Sequence, residues 1–267
     1  MRTMRPLAAL NPRCYDRLRS RLQLSIREGR PIIQPFAEKL QAVCFDLDWT
    51  LSYYPLSTQQ ALEQALSRAS CPLDCLGDLT TAADRYNTRW LELERTAESI
   101  DTIRLQIMTT LFEDQGFSDA STILKVSQAY DDIRRESGVL AYPGIDGFLA
   151  DLRSTYRLGL FTNGPTFLQW DKLKALGFDT LFDAIIVAGD VGVYKPDPQA
   201  FRLLLNELDV PAKHSLFVGD NYDADIVGAH NAGMYTAWIK HDEDRVIPTI
   251  QPTIVTSQTT RLREVLL

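Results

Sequence analysis

The stretch Val43-Cys44-Phe45-Asp46-Leu47-Asp48-Trp49-Thr50-Leu51 places two carboxylates, two positions apart, where an apolar run stops. Val43 to Phe45 is short, apolar and rich in β-formers, the pattern of a buried strand. In an open parallel sheet, ligands bind outside the carboxyl ends of the strands, so Asp46 and Asp48 are expected at a crevice rather than in the core. Two anions this close raise one another's proton affinity unless a cation neutralises them. A hard divalent ion with oxygen ligands does so, and Mg²⁺ is the usual one where phosphate is also bound. A strand followed by an acidic turn would explain the same residues without chemistry. The rest of the chain has to decide between the two.

From Leu40 onward strand and helix signals alternate. Leu158-Gly159-Leu160-Phe161, Ala184-Ile185-Ile186-Val187, Ser215-Leu216-Phe217-Val218 and Tyr235-Thr236-Ala237-Trp238-Ile239 are further short apolar runs, and residues 252–256 offer a sixth. Helix-length segments over 145–154, 167–176, 198–208 and 224–232 separate them, with a terminal helix through Leu262, Val265 and Leu266. This alternation predicts an α/β fold: a Rossmann-like parallel sheet with helices on both faces. One interval breaks it. Between Ser52 and Pro143 there is no convincing strand, only helical stripes: Ala61, Leu62, Ala65, Leu66 and Ala69, then Leu105, Met108, Leu111 and Phe112. Ser57 with Gln60 reads as a capping box, and Asp101 as a later helix cap. A helical insertion after the first strand would lie over that strand's carboxyl end, as a lid. The expected division is a basic arm over 1–40, a core over 41–52 and 142–267, and a helical cap over 53–141.

Composition sets outer limits on function. The chain has 267 residues, 45% hydrophobic and 24% charged, and a net charge of −7, which argues against a nucleic-acid binder held by phosphate contacts. No apolar run approaches the ~20 residues of a membrane span, so no membrane association is expected. Cys14, Cys44, Cys71 and Cys75 are too few and irregular for a disulfide framework, and Cys71-x-x-x-Cys75 lacks partners for zinc. A reducing, cytoplasmic setting is expected. The first thirty residues carry eight arginines against Asp16 and Glu28. Those acids argue against an organelle presequence, and Leu7-Ala8-Ala9-Leu10 is too short for a secretory signal. A helical arm over 15–28, packing on the body or on a partner, is expected instead.

Three more polar groups follow strands at the same sheet edge. Thr162-Asn163-Gly164 offers a hydroxyl, an amide and backbone N–H groups at a turn, which suit phosphoryl oxygens. Lys195, in Val193-Tyr194-Lys195-Pro196-Asp197-Pro198, stands just before a predicted helix, where the ammonium and the helix N-terminus both favour an anion. Gly219-Asp220-Asn221-Tyr222-Asp223-Ala224-Asp225 adds three carboxylates. Each alone is an ordinary turn, surface pair or cap. Their order along one sheet edge is what carries information.

At these residues the chain resembles the haloacid dehalogenase superfamily of phosphatases, over roughly Ala42 to the C-terminus: Asp46-x-Asp48-x-Thr50, Thr162-Asn163, Lys195-Pro196 and Gly219-Asp220 with Asp225 stand in that family's order. The resemblance implies a sheet with the first strand central and a mostly helical cap. It implies that Asp46 attacks phosphorus to form an aspartyl-phosphate, splitting one hydrolysis into two steps, and that Asp48 protonates the leaving oxygen and then deprotonates water. Thr162, Asn163 and Lys195 would hold the phosphoryl group. Asp46, the backbone carbonyl of Asp48 and Asp220 would bind Mg²⁺, with Asp225, or else Asp223, supporting the metal waters or Lys195. Trp49 departs from the small or acidic residue usual in that position, and its ring either packs beneath the cap, which is the favoured expectation, or touches the leaving group. His214, His230 and His241 lie outside these turns, as surface or packing residues. The expected activity is Mg²⁺-dependent hydrolysis of a small phosphorylated metabolite. Phosphoryl transfer to a sugar-phosphate acceptor and a non-catalytic scaffold recruited through the arm are the alternatives, and a dehalogenase is disfavoured because its leaving halide needs no proton and Asp48 would be idle.

Overall fold

The computed structural model describes residues 40–94, 99–241 and 248–267, so the expected arm helix over 15–28 lies outside the described residues. Gln41–Leu267 form one compact unit. Along the chain come β1 (Ala42–Phe45), β2 (Ser52–Tyr53), α1 (Thr58–Arg68), α2 (Leu79–Leu93), α3 (Ile100–Glu113), α4 (Ala120–Ser137), β3 (Leu140–Ala141), α5 (Ile145–Arg153), β4 (Arg157–Thr162) and α6 (Thr166–Leu176). After these stand β5 (Ala184–Val187), α7 (Ala188–Val191), α8 (Pro198–Leu208), β6 (Ser215–Gly219), α9 (Gly228–Asn231), β7 (Tyr235–Ile239), β8 (Ile254–Thr256) and α10 (Arg263–Leu266).

Six strands form one parallel sheet in the order β5-β4-β1-β6-β7-β8, with β1 central as expected. Ala42 to Phe45 pair with Arg157 to Leu160 on one side and with Ser215 to Val218 on the other. Because side chains alternate across a strand, β1 feeds both faces. Ala42 and Cys44 join Phe161, Phe201, Leu204 and Phe217 on the α8 face, while Phe45 meets Phe148 of α5 edge-on, ring centres 6.4 Å apart. A strand covered on both faces reads as a continuous apolar run, which is why Val43-Cys44-Phe45 was legible.

The helical insertion has a core of its own. Ala61, Leu62, Ala65 and Leu66 of α1 and Met108, Leu111 and Phe112 of α3 are buried with Ile123, Val126 and Tyr130 of α4, each large side chain contributing about 1.5–3 kcal/mol of burial. Its helices begin where polar side chains satisfy free N–H groups. Ser57 and Gln60 form the capping box of α1, and Asp78 and Asp119 accept from Thr81 and Thr122 at the starts of α2 and α4. Asp101 is not a cap: Ser99 accepts from the Thr102 N–H and starts α3, leaving Asp101 in the first turn.

Two short strands at the ends of this insertion escape the sequence. β2 and β3 pair antiparallel, Ser52 with Ala141 and Tyr53 with Leu140, so the way out and the way back run side by side. Two-residue strands are too brief for alternation to show. Tyr53 stacks on Tyr142 at 4.8 Å, and Tyr142 on His241 at 6.1 Å. The segment expected as one helix over 224–232 is instead a π-helical turn, Tyr222–Val227, running into α9. Among the described residues no helix is long and apolar enough to cross a membrane.

Candidate active site

The sheet brings the strand-end motifs together at one edge. Asp46 follows β1, and its N–H donates to the Val218 carbonyl, extending the β1–β6 ladder by one residue. Its carboxylate is buried. Lys195, 2% exposed, places Nζ 2.7 Å from Asp46 Oδ1 and 2.7 Å from Asp225 Oδ1. The other Asp225 oxygen accepts from the Asn221 N–H at 2.9 Å, so both of its oxygens are engaged in holding Lys195 and the loop. Gly219 makes room for this: a Cβ there would stand 2.3 Å from Asp225 Oδ2. Asp223 is exposed and joins no part of the cluster.

The main chain of Lys195 is fixed as firmly as its ammonium. Asn163 Nδ2 donates to the Lys195 carbonyl and Asn163 Oδ1 accepts from the Lys195 N–H, each at 3.0 Å. The Asn163 amide, expected to face a phosphoryl oxygen, is therefore a strut between two loops. Thr162 is buried, lines the cavity, and turns its hydroxyl to the Asn163 carbonyl at 3.1 Å. The helix N-terminus after Lys195 is not open to an anion either, because Asp197 caps α8 through the Gln199 N–H.

Asp48 has partners the sequence did not suggest. Lys172 Nζ donates to both of its oxygens at 2.8 Å, and Gln169 Nε2 to Oδ2 at 3.1 Å. Both side chains are buried and lie on α6, one turn apart. Gln169 also donates to the Asn163 carbonyl, and Lys172 lies 5.2 Å from the ring centre of Tyr54. The signal was a Gln-x-x-Lys pair three positions apart on the helix after Thr-Asn-Gly. Amphipathic reasoning assigns such residues to solvent.

Charge organises the centre. Burial pushes Asp46 up to about 7, with Lys195 opposing and Asp225 and Asp48 adding; burial, then Asp225 and Asp46, push Asp220 up to about 8. Burial works against the Lys195 charge, yet Asp225 and Asp46 outweigh it and hold the ammonium well above its ordinary value. Four carboxylates, Asp46, Asp48, Asp220 and Asp225, thus surround two ammonium groups, Lys172 and Lys195. Oxygens of Asp46, Asp220 and Asp225 lie within 4.8 Å of one another. Such an all-oxygen, electron-rich donor set fits a hard divalent cation. Thr50 Oγ1 reaches Asp220 Oδ1 at 3.4 Å, tying the loop after β1 to the loop after β6.

These residues open on a cavity of about 350 Å³. The insertion supplies its far wall, including Leu56, Tyr86, Trp90, Arg104 and Arg134. Arg104 pairs with Asp131, and Arg134 donates to Tyr130, Thr58 and the Leu56 carbonyl. Trp49 also lines the cavity. The residue is 48% exposed, which corrects the expectation that it packs away beneath the insertion. Of the histidines, His230 is exposed, and His214 carries a buried Nδ1 without a partner among the described residues. His241 donates from Nε2 to the Trp49 carbonyl at 2.5 Å.

Comparison with known proteins bears on family and fold. Over 117 residues the chain is 38% identical to a glyceraldehyde 3-phosphate phosphatase of Pyrococcus abyssi, a match covering 39% of this chain and 49% of that one. The chain spans about half the length, or less, of the first curated relatives it matches. A longer match, 26% identical, covers 81% of this chain and 91% of YfnB, a proposed HAD-hydrolase of Bacillus subtilis. A crystal structure of YfnB bound to magnesium superposes with a TM-score of 0.66 at 24% identity, covering 85% of this chain and 98% of that one. A 2-haloacid dehalogenase from Pseudomonas syringae superposes at 0.59 with 25% identity, over 85% and 98% of the two chains. A family model described as haloacid dehalogenase-like hydrolase matches residues 40–233. With that match running from the first strand through the last loop of the acidic cluster, the chain belongs to the haloacid dehalogenase-like hydrolases.

Proposed function

We propose that the protein is a Mg²⁺-dependent phosphatase that hydrolyses a small phosphorylated metabolite through an aspartyl-phosphate on Asp46. The observation that carries this reading is the buried Asp46–Lys195–Asp225 chain beside Asp220. Lys195 fixes Asp46 through Oδ1, and among the described residues no donor meets Oδ2. That oxygen is the attacking atom. Thr162, with the main chain of Asn163, holds a phosphoryl oxygen, and Lys195 offsets the charge that Asp46 shares with the phosphoryl group.

Asp48 gives a proton to the departing alcohol and later takes one from the water that opens the aspartyl-phosphate. Lys172 and Gln169 fix where its carboxylate stands. Asp46, the backbone carbonyl of Asp48 and Asp220 would hold Mg²⁺, and Asp225 serves Lys195. When bound, the ion neutralises charge on the transferring phosphoryl oxygens. Residues 53–141 act as the cap over this site, with residues 41–52 and 142–267 as the catalytic core. The phosphatase named among the relatives and the magnesium in the YfnB crystal support the reading.

Phosphate release from a panel of monoesters, with and without Mg²⁺, tests it. Asp46→Asn is expected to lower kcat by at least about a thousandfold on every ester. Turnover of the variant near the parental rate would remove Asp46 as nucleophile, and label recovered on an isomeric sugar instead of free phosphate would indicate transfer rather than hydrolysis.

A further inference from the structure

One residue at the site is used neither by the ion pairs nor by the core. Trp49 stands between Asp48 and Thr50 with φ of 60°, a left-handed conformation that glycine adopts freely and that a bulky side chain resists. The loop enforces it. The Trp49 N–H donates to the Ser52 carbonyl at 2.7 Å, the N–H groups of Leu51 and Ser52 both reach the Leu47 carbonyl, and His241 holds the Trp49 carbonyl. Burial does not repay the strain, since the residue is 48% exposed and, among the described residues, its indole stacks on no other ring. The strained backbone disfavours the folded chain, the half-exposed side chain recovers only part of that cost, and backbone outliers of this kind gather at ligand sites.

The position of the ring says what it meets. Trp49 lines the same cavity as Asp46, Asp48 and Lys195, together with Tyr54, Trp90 and Leu168. An indole at the mouth of a charged centre offers a flat, polarisable face beside the point where an ester bond would be broken. Resting on the phosphatase reading, we propose that Trp49 is a specificity-determining residue whose indole receives the alcohol portion of the substrate. It favours phosphomonoesters of alcohols that carry a planar ring, aryl or nucleoside, over short open-chain polyol phosphates. The ring makes no bond to phosphorus and moves no proton.

The test compares parent, Trp49→Gly and Trp49→Phe, as full chains with Mg²⁺, on phenyl phosphate, uridine 5′-monophosphate and glycerol 3-phosphate. Dividing each variant's kcat/KM by the parent's on the same ester cancels intrinsic leaving-group reactivity. For Trp49→Gly this ratio is expected to fall about tenfold or more on the two ring-bearing esters, chiefly through KM, and several-fold less on glycerol 3-phosphate. Trp49→Phe recovers most of the loss. The thermal midpoint of Trp49→Gly should be no lower than the parent's, because glycine relieves the backbone; this separates a binding role from a structural one. An equal fall on all three esters, or none on the ring-bearing pair, overturns the assignment of Trp49 while leaving the phosphatase reading standing. A parent that releases phosphate from none of the three overturns the assignment of Trp49, and the phosphatase reading falls with it only if the wider panel of monoesters also gives no release.

Discussion

The two walls of the cavity are built from opposite materials. On the sheet side charge is met by charge, Lys195 with Asp46 and Asp225 and Lys172 with Asp48, while Asp220 accepts from the Thr50 hydroxyl. On the helical side Arg134 meets two hydroxyls, a backbone carbonyl and the ring faces of Tyr54 and Tyr130, and among the described residues no carboxylate. One wall concentrates four carboxylates and two ammonium groups; the other presents rings and two guanidinium groups, Arg134 on neutral partners and Arg104 paired with Asp131. The contrast teaches that groups suited to bond-making stand where strands end, and groups suited to discriminating among ligands stand on helices with a core of their own.

That contrast can be broken most directly at Lys195. Lys195→Met would strand Asp46 and Asp225 as buried, uncompensated carboxylates, so turnover is expected to vanish on every ester and stability to fall by roughly 3–5 kcal/mol in denaturant titration. Stability within about 1 kcal/mol of the parent, a margin on the order of one ordinary hydrogen bond, would show that the sheet side is less tightly coupled than its geometry implies.

Magnesium should act on the sheet side with a definite pH dependence. In the metal-free chain Asp46 and Asp220 titrate near 7 and 8, above their unfolded values, so the folded state retains protons that the unfolded state has released. Their contribution favours folding at low pH and is lost as pH rises from about 4 to about 8. Mg²⁺ binds the ionised carboxylates, so it should raise the thermal midpoint more at pH 8.5 than at pH 6. Equal shifts at both values would detach these carboxylates from the metal.

The smallest effects sharpen the line between the walls. Lys172→Met loosens Asp48 and is expected to lower kcat about tenfold on alkyl esters, whose departing oxygen needs a proton, and much less on aryl esters, which leave well without one. Arg134→Met should leave kcat within about threefold and cost on the order of 1–2 kcal/mol of stability through its lost hydrogen bonds. Reversal of the two outcomes would place the chemistry on the wrong wall.

The sequence disclosed the sheet wall far better than the helical one. Asp46, Thr162 and Asp220 each stand at or just after the end of an apolar run, Lys195 follows another run by eight positions, and a parallel sheet brings such ends to one edge. The insertion was legible as helices from its apolar stripes and from Ser57 with Gln60. Gln169 and Lys172 were not, because a buried polar residue paired with a group more than 120 positions away looks like a solvent-facing residue on its own helix. Asn163 was legible as part of a turn, yet its partner is the Lys195 main chain, which no side-chain pattern encodes. The conformation of Trp49 was hidden for the same reason: hydrogen bonds of the backbone around it set it, not the residue itself.

The β2–β3 pairing also bears on how the chain assembles. β1 must find β4 across 115 positions, from residue 42 to residue 157, with all four insertion helices in between. Once Ser52 lies beside Ala141, only 10 positions before that pair and 16 after it stay open, so the loop to be closed shrinks to 26. Loop-closure entropy grows with the logarithm of length, and the reduction amounts to about 1.3 kcal/mol. Helices that gather early through local contacts and draw β2 and β3 together therefore shorten the search by which the central strand meets its neighbour.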